Sequence, residues 1–428
     1  MLFSNNEFKE INIRNKIIVL NKREIKVETR NLKLGIIIVA IIIALEIVSI
    51  IIIKNKICCC SIEDETNLLQ ETFSMMNSDD LESESVSLEL FEEYYPRAEE
   101  IMKDMSIEEK VGQMFLVRYP EIGANEEIIN LNPGGYILFA KDFKEENKDS
   151  IIQKINTNQA NAKIKMFMAV DEEGGTVCRV SLYSAFRECK FKSPQELWAE
   201  GGTQKILDDS REKSKLLKSL GINMNLAPVV DVTTNPQAFI YNRTLGREAK
   251  DTAQFATVII KQMNIDNIIS CMKHFPGYGD NVDTHTGIAI DEREYIQFKF
   301  SDFLPFISGI ENEAPTIMVN HNIVKCMDEK FPASISEEVH NILRNELGFS
   351  GLIITDDLSM EAMKNYVIDG KAAVQAIKAG NDIIISSDFR NQRNEVINAL
   401  NNEEFSIDLI NVAVKRILAC KLKYGIIE

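Results

Sequence analysis

The chain has 428 residues, with 48 Lys and Arg against 65 Asp and Glu, for a formal net charge of −17. Its 45% hydrophobic and 26% charged content is that of a globular protein and excludes a chain disordered throughout. The acidic balance argues against nucleic acid as the main partner, because phosphate binding needs clustered Lys and Arg; the length allows one large α/β barrel with additions.

The first hundred residues are not barrel-like. Residues 1–33 carry eight basic side chains (Lys9, Arg14, Lys16, Lys22, Arg23, Lys26, Arg30, Lys33) and four acidic ones. Leu34 to Ile53 then reads LGIIIVAIIIALEIVSIIII, long enough to cross a hydrocarbon core as a helix. Its one charge, Glu46, costs about 3 kcal/mol near the bilayer centre, and the many Ile and Leu residues, each worth about −0.3 to −0.6 kcal/mol, outweigh it. Only Lys54 and Lys56 follow closely, so the basic bias predicts a cytoplasmic N-terminus and an extracellular remainder. The run starts late and lacks a small-residue cleavage site, which predicts an uncleaved, single-pass anchor in the cell membrane at 34–53. Cys58, Cys59 and Cys60 follow the span; acylation of such juxtamembrane cysteines stays open, against a topology that places them outside. Residues 61–100 hold thirteen acidic residues and one basic, Arg97. Residues 54–99 therefore read as an acidic, self-repelling tether that accounts for much of the net charge.

From about residue 100 short apolar runs alternate with amphipathic stretches. The expected strands are 111–117, 134–139, 165–171, 224–231, 268–274, 316–321, 351–357 and 382–387, short and mostly apolar rather than alternating, as strands buried on both faces are. Helical patterns fall between most of them: 193–221, 334–348 with a capping box at Ser336 and a stop at Gly348, and 359–380 stopped by Gly380. Eight strands alternating with helices predict a (β/α)8 barrel over 100–428.

Polar residues close these strands: Asp171, Asp231, Lys273, His274, His321, Asp356 and Asp357. Strand C-termini share one face of a parallel barrel, so these side chains converge on one mouth. Helix capping explains a single strand-end Asp but not the Lys and His beside it. Two segments carry the most chemistry. KHFPGYGDNVDTHTG (273–287) joins a Lys-His strand end to a turn-rich loop bearing Asp283 and His285. An Asp beside a His accepts from one ring nitrogen and leaves the other for proton transfer. GLIITDDLSMEA (351–362) offers a strand-end carboxylate able to attack an anomeric carbon. Asp356 and Asp357 are consecutive, so one should face substrate and the other pack at the rim or cap the next helix. The scattered remaining cysteines have no metal-ligand spacing, and neither metal nor cofactor is expected.

KHFPGYGDNVDTHTG and IITDDLSMEA resemble glycoside hydrolase family 3, in particular its bacterial β-N-acetylglucosaminidase branch. DEEGGTVCRV (171–180), GINMNLAPVVDV (221–232), NRTLGRE (242–248) and MVNHNIV (318–324) match it in order. The resemblance implies a retaining double displacement with Asp356 as nucleophile, His285 as general acid/base and Asp283 as its partner. It also implies that Asp171, Arg243, Lys273 and His274 grip the sugar, and it makes His321 a further binding candidate. Tyr278 departs from the branch, which usually has a second His there. On this reading the protein removes terminal β-linked N-acetylglucosamine from cell-wall-derived glycans and is expected to be a monomer. Three alternatives stay open: a phosphorylase on the same site, a non-catalytic sugar-binding protein, and a mechanism assisted by the substrate acetamido group.

Overall fold

Short apolar segments form a ring of parallel strands: β1 Phe115–Arg118, β2 Gly135–Leu138, β3 Phe167–Val170, β4 Met224–Asn225, β5 Ile269–Phe275, β6 Thr316–Val319, β7 Leu352–Thr355 and β8 Ile384–Ser386. The computed structural model describes residues 8–13 and 16–21 by their backbone, and residues 89–281, 289–359, 363, 366 and 371–428 with side chains. Strand order follows the chain, with β8 returning to pair beside β1 in the register Ile384 to Phe115. A bridge between Ile354 and Ile383 links β7 to the β8 segment and nearly closes the ring. Every residue of β2, β3, β6 and β7 is buried, which is why these segments read as unbroken apolar runs rather than alternating ones. Helices cross between the strands, as parallel pairing requires. All eight expected strands are present, and the fold is a (β/α) barrel.

Several boundaries differ from the sequence expectation for identifiable reasons. In 111–117 the first half is the end of a helix, Ile107–Gln113, started by a reciprocal Ser106–Glu109 capping box. In 224–231 regular pairing ends at Asn225, and the rest is held to its neighbours by irregular bonds, Leu226 N to Val170 O, Cys271 N to Ala227 O and Lys273 N to Pro228 O, and by a bridge from Val229 to Lys273. The helix expected over 193–221 runs from Pro194 to Ser219 but leaves helical geometry at Gly201 and Gly202. Ser336 caps Glu337–Asn341 by accepting from Val339 N, but the reciprocal half of the box is absent because the third helical position is Val339. A π-helical turn, Ile342–Glu346, follows before Gly348. The helix expected over 359–380 is described from Ala372 to Ala379 and ends at Gly380.

The chain divides into two units, Met1–Val86 and Ser87–Glu428. In the first, Phe8–Ile13 pairs antiparallel with Lys16–Asn21 within the basic segment 1–33. The span 34–53, the cysteines 58–60 and the tether as far as residue 88 lie outside the described residues. No helix among the described residues is long and apolar enough to cross a membrane. The assignment of 89–99 to the tether is corrected: Glu92–Tyr94 and Tyr95–Lys103 are helical, with Phe91, Ala98 and Met102 buried. High acid density masked that apolar face. This opening helix packs beside the last one, Ile407–Lys423, and Arg97 Nη2 donates to Glu428 O over 3.2 Å. The five described cysteines are free thiols.

Candidate active site

The strand ends open into a cavity of about 490 Å³, within the size range of small-molecule sites. Asp171, Arg243, Lys273, His274, Asp356 and Asp357 all line it. They come from the ends of β3, β5 and β7 and from a short 3-10 turn, Tyr241–Arg243.

Lys273 is buried at the end of β5, with its ammonium 2.6 Å from Asp171 Oδ1 and 2.8 Å from Glu173 Oε1. Burial would strip its proton, but the two carboxylates outweigh burial and raise its pKa. Glu173 in turn accepts from Arg243 Nε at 3.0 Å and Nη2 at 2.8 Å, the paired geometry a guanidinium favours. Burial pushes the Glu173 carboxyl up, yet Arg243 and Lys273 bring it well below the usual carboxylate range. Arg243 Nη2 also lies 3.3 Å from His274 Nε2. The pairing of β5 with β6 shifts register between Lys273 and Phe275; this irregularity accompanies the arrival of two consecutive residues at one cavity.

Asp356 follows β7 directly. Its N–H continues the ladder to Val319 O at 3.0 Å, which ties its position to the barrel wall. Its Oδ1 accepts from Asp357 N at 2.8 Å. Asp357 sits at the rim, where its carboxylate accepts from Ser387 Oγ at 2.6 Å and from Ser359 Oγ at 2.7 Å. The two carboxylates thus differ in their partners, Asp356 accepting from the backbone and Asp357 from two hydroxyls, although both line the cavity.

His321 is placed otherwise. It is completely buried and does not line the cavity. Its Nδ1 is 2.7 Å from Ser334 Oγ and its Nε2 3.0 Å from Asp357 O, so it braces the backbone after Asp356 instead of facing the cavity. Asp283 and His285 lie outside the described residues. Among the described neighbours of their segment, two carboxylates meet one guanidinium, with Arg293 Nε 3.0 Å from Asp291 Oδ1 and Arg293 Nη1 2.9 Å from Asp302 Oδ2, and Asn281 Nδ2 donates to Asp291 Oδ2 at 2.8 Å.

Glu173, Arg179 and Arg118 also line the cavity; the first two lie on the loop beyond β3, and Arg118 ends β1 one residue past the expected 111–117 strand. Arg179 is delivered by a loop built on Glu172, a buried carboxylate that accepts from Arg179 N at 2.8 Å, Val180 N at 2.7 Å and Ser181 Oγ. The doubled Glu of DEEGG was the available signal: two carboxylates beside paired glycines, one organising the loop and one the cations. Among the described residues no group of three or more His, Cys, Asp or Glu is placed to hold a metal.

Residues 106–420 match the sequence profile of the Glycosyl hydrolase family 3 N terminal domain. The chain is 29% identical over 286 residues to Beta-hexosaminidase A of Pseudoalteromonas piscicida, covering 62% of this chain and 47% of that protein. It is 29% identical over 284 residues to a Beta-hexosaminidase of Nitrosomonas eutropha, covering 64% of this chain and 79% of the other. A solved family 3 β-N-acetylglucosaminidase from Paenibacillus sp. str. FPU-7 superposes with a TM-score of 0.71 at 26% identity, over 75% of this chain and 63% of that one. The chain thus spans about half the length of the Pseudoalteromonas protein and under two thirds of the Paenibacillus one. By a profile match that spans nearly the whole barrel, the chain belongs to glycosyl hydrolase family 3.

Proposed function

We propose that the protein is a retaining exo-β-N-acetylglucosaminidase that hydrolyses terminal β-linked N-acetylglucosamine from cell-wall-derived glycans. The observation that carries the reading is the position of Asp356 in the same cavity as Asp171, Arg243, Lys273 and His274. A cavity of that size holds one saccharide, and its mixed charges suit vicinal hydroxyls: Arg and Lys donate, Asp accepts. Relatives named Beta-hexosaminidase support the amino-sugar preference.

In this mechanism Asp356 attacks the anomeric carbon, and a glycosyl-aspartate forms as the leaving oxygen takes a proton from His285. Water then attacks the same carbon with His285 as base, and Asp356 departs. Asp283 holds the imidazole. The bonded position of Asp356 at the end of β7 keeps the carboxylate oriented before substrate arrives. The assignment of His285 and Asp283 rests on the sequence.

The same reading places the barrel outside the cell on a single span at 34–53 and a tether, as a monomer. It rests on the apolar run and the asymmetry of Lys and Arg around it. Protease treatment of intact cells should remove the barrel and leave a membrane-embedded stub; full protection would refute that orientation.

The test of activity is a panel of chromogenic β-glycosides, with N-acetylglucosaminide against glucoside and xyloside, run with and without phosphate. N-acetylglucosaminide should be preferred, and rates should not depend on phosphate. A phosphate requirement would assign a phosphorylase instead. A 2-deoxy-2-fluoro glycoside should label Asp356; an unlabelled Asp356 in an active enzyme would exclude the covalent route.

A further inference from the structure

Asp231 closes the β4 segment but does not line the cavity, and its side chain is fully buried. Three donors reach its carboxylate. His274 Nδ1 is 2.7 Å from Oδ2, His274 N is 3.2 Å from the same oxygen, and Tyr278 N is 2.8 Å from Oδ1. We propose that Asp231 is a positioning residue that fixes His274 as the neutral Nδ1–H tautomer, so that the Nε2 lone pair faces and aims Arg243.

The geometry allows little else. Nδ1 faces a carboxylate oxygen, which only accepts, so Nδ1 carries the hydrogen. Nε2 faces Arg243 Nη2 at 3.3 Å, which only donates, so Nε2 carries the lone pair. An imidazolium would set a second donor and a second positive charge against the guanidinium. The result is an alternating series across the site. Asp231 accepts, His274 donates and accepts, Arg243 donates, Glu173 accepts, Lys273 donates and Asp171 accepts. Each cation in the series reaches the cavity with its protons assigned. Tyr278 stacks edge-on against the imidazole at 5.1 Å, and Asp231 holds that residue by its backbone as well. The position where this chain departs from the related branch is thus tied to the same carboxylate.

The consequence for turnover rests on the function proposed above, but the tautomer does not. An amide in place of Asp231 can donate to Nδ1, which drives the hydrogen to Nε2 and turns it on Arg243. The guanidinium would then lose its alignment in free and bound enzyme alike, which weakens binding more than the chemical step.

The experiment uses the full chain labelled with ¹⁵N at its four histidines. Signals lost in His274→Gln identify that ring. At neutral pH the unmodified protein should show His274 with a protonated Nδ1 and a bare Nε2. In Asp231→Asn the pattern should reverse, and KM for an aryl β-N-acetylglucosaminide should rise by about tenfold, with kcat changed by less than about threefold. An Nε2–H or doubly protonated His274 in the unmodified protein overturns the proposal, and that spectrum decides the matter if the variant does not fold. A folded Asp231→Asn with unchanged KM, in an enzyme otherwise active, overturns it too. If the unmodified protein hydrolyses no β-glycoside, the functional reading falls while the spectra still judge Asp231.

Discussion

Glu173 holds Arg243 by two parallel hydrogen bonds and Lys273 by a third, all from one buried carboxylate. It lies two residues beyond Asp171, so a single loop after β3 supplies both counter-charges to the cations at the cavity. Its removal leaves Arg243 without its paired carboxylate and Lys273 with Asp171 alone in direct contact, while Asp231 acts on Arg243 only from behind His274.

Glu173→Gln should therefore cost both stability and turnover. Breaking a buried ion pair by removing one partner costs about 3–5 kcal/mol, and urea unfolding at neutral pH should read a loss on that order. The pH dependence follows from the depressed folded-state pKa of Glu173. A carboxyl so depressed contributes stability that is complete above the unfolded value of about 4.3 and is lost as pH falls through the folded one. The unmodified protein should thus lose stability on acidification more steeply than the variant below about pH 4. Equal slopes would show that Glu173 is not held ionised by its neighbours.

Lys421 offers a test at the opposite end of the barrel. It is fully buried, with its Nζ 2.7 Å from Gln113 Oε1, 2.9 Å from Gly134 O and 4.8 Å from the centre of the Phe167 ring. Burial pushes its pKa down to about 7, whereas an unfolded Lys titrates near 10.4. Between those values the unfolded chain binds a proton the folded one does not, so this residue makes stability rise with pH across that window. The urea midpoint of the unmodified protein, relative to that of Lys421→Met, should climb from pH 7 to pH 9.5. A constant difference between the two proteins would place the Lys421 titration outside this range.

The barrel was legible because its strands are short and buried, four of them along their whole length, which leaves eight mostly apolar runs. The boundaries were less so. The last turn of the helix Ile107–Gln113 leads through Met114 straight into the strand at 115–118, so Val111 to Val117 is apolar except at Gln113, and periodicity cannot divide a run that short. The site was legible where a charged residue ends a strand, as Asp171, Lys273, His274 and Asp356 do. Strand-end position alone does not say on which side of the wall a side chain falls, and so it could not separate His321 from the cavity-lining residues. Glu173 and Arg179 reach the cavity from a loop whose path is set by backbone donors to Glu172, a tertiary arrangement without a periodic trace.

Two glycines carry the segment after β5 against the Arg293 cluster. A Cβ on Gly277, at φ +130°, would sit 2.2 Å from Asp302 Oδ1, and one on Gly279 would sit 2.7 Å from Arg293 Cζ. Gly348, at φ +70°, has nothing within 4 Å of the same added atom. Gly348→Ala should cost only the left-handed backbone penalty of about 1–2 kcal/mol. Gly277→Ala must also displace Asp302 from Arg293, so it should cost clearly more and lower kcat/KM through the neighbouring Tyr278 and His274. Equal losses in unfolding experiments would mean that the packing against Asp302 relaxes at no cost.

The proposed acid/base assignment makes a prediction that depends on the leaving group. An activated aryl glycoside departs without protonation, whereas an alkyl or sugar alcohol needs a proton on the departing oxygen. If His285 supplies it, His285→Ala should slow sugar-leaving substrates by about 100-fold or more, the upper range for general acid catalysis, and slow activated aryl glycosides far less. Deglycosylation also needs a base, so the aryl substrate should show a burst of released phenol followed by a slow steady state as the glycosyl-Asp356 species accumulates. Azide, which attacks without a base, should restore the steady rate. Asp356→Ala should abolish turnover of both substrate kinds with no burst. Equal slowing of aryl and sugar-leaving substrates in His285→Ala, without a burst, would remove His285 from the proton-transfer role and return the assignment to another group at the cavity mouth.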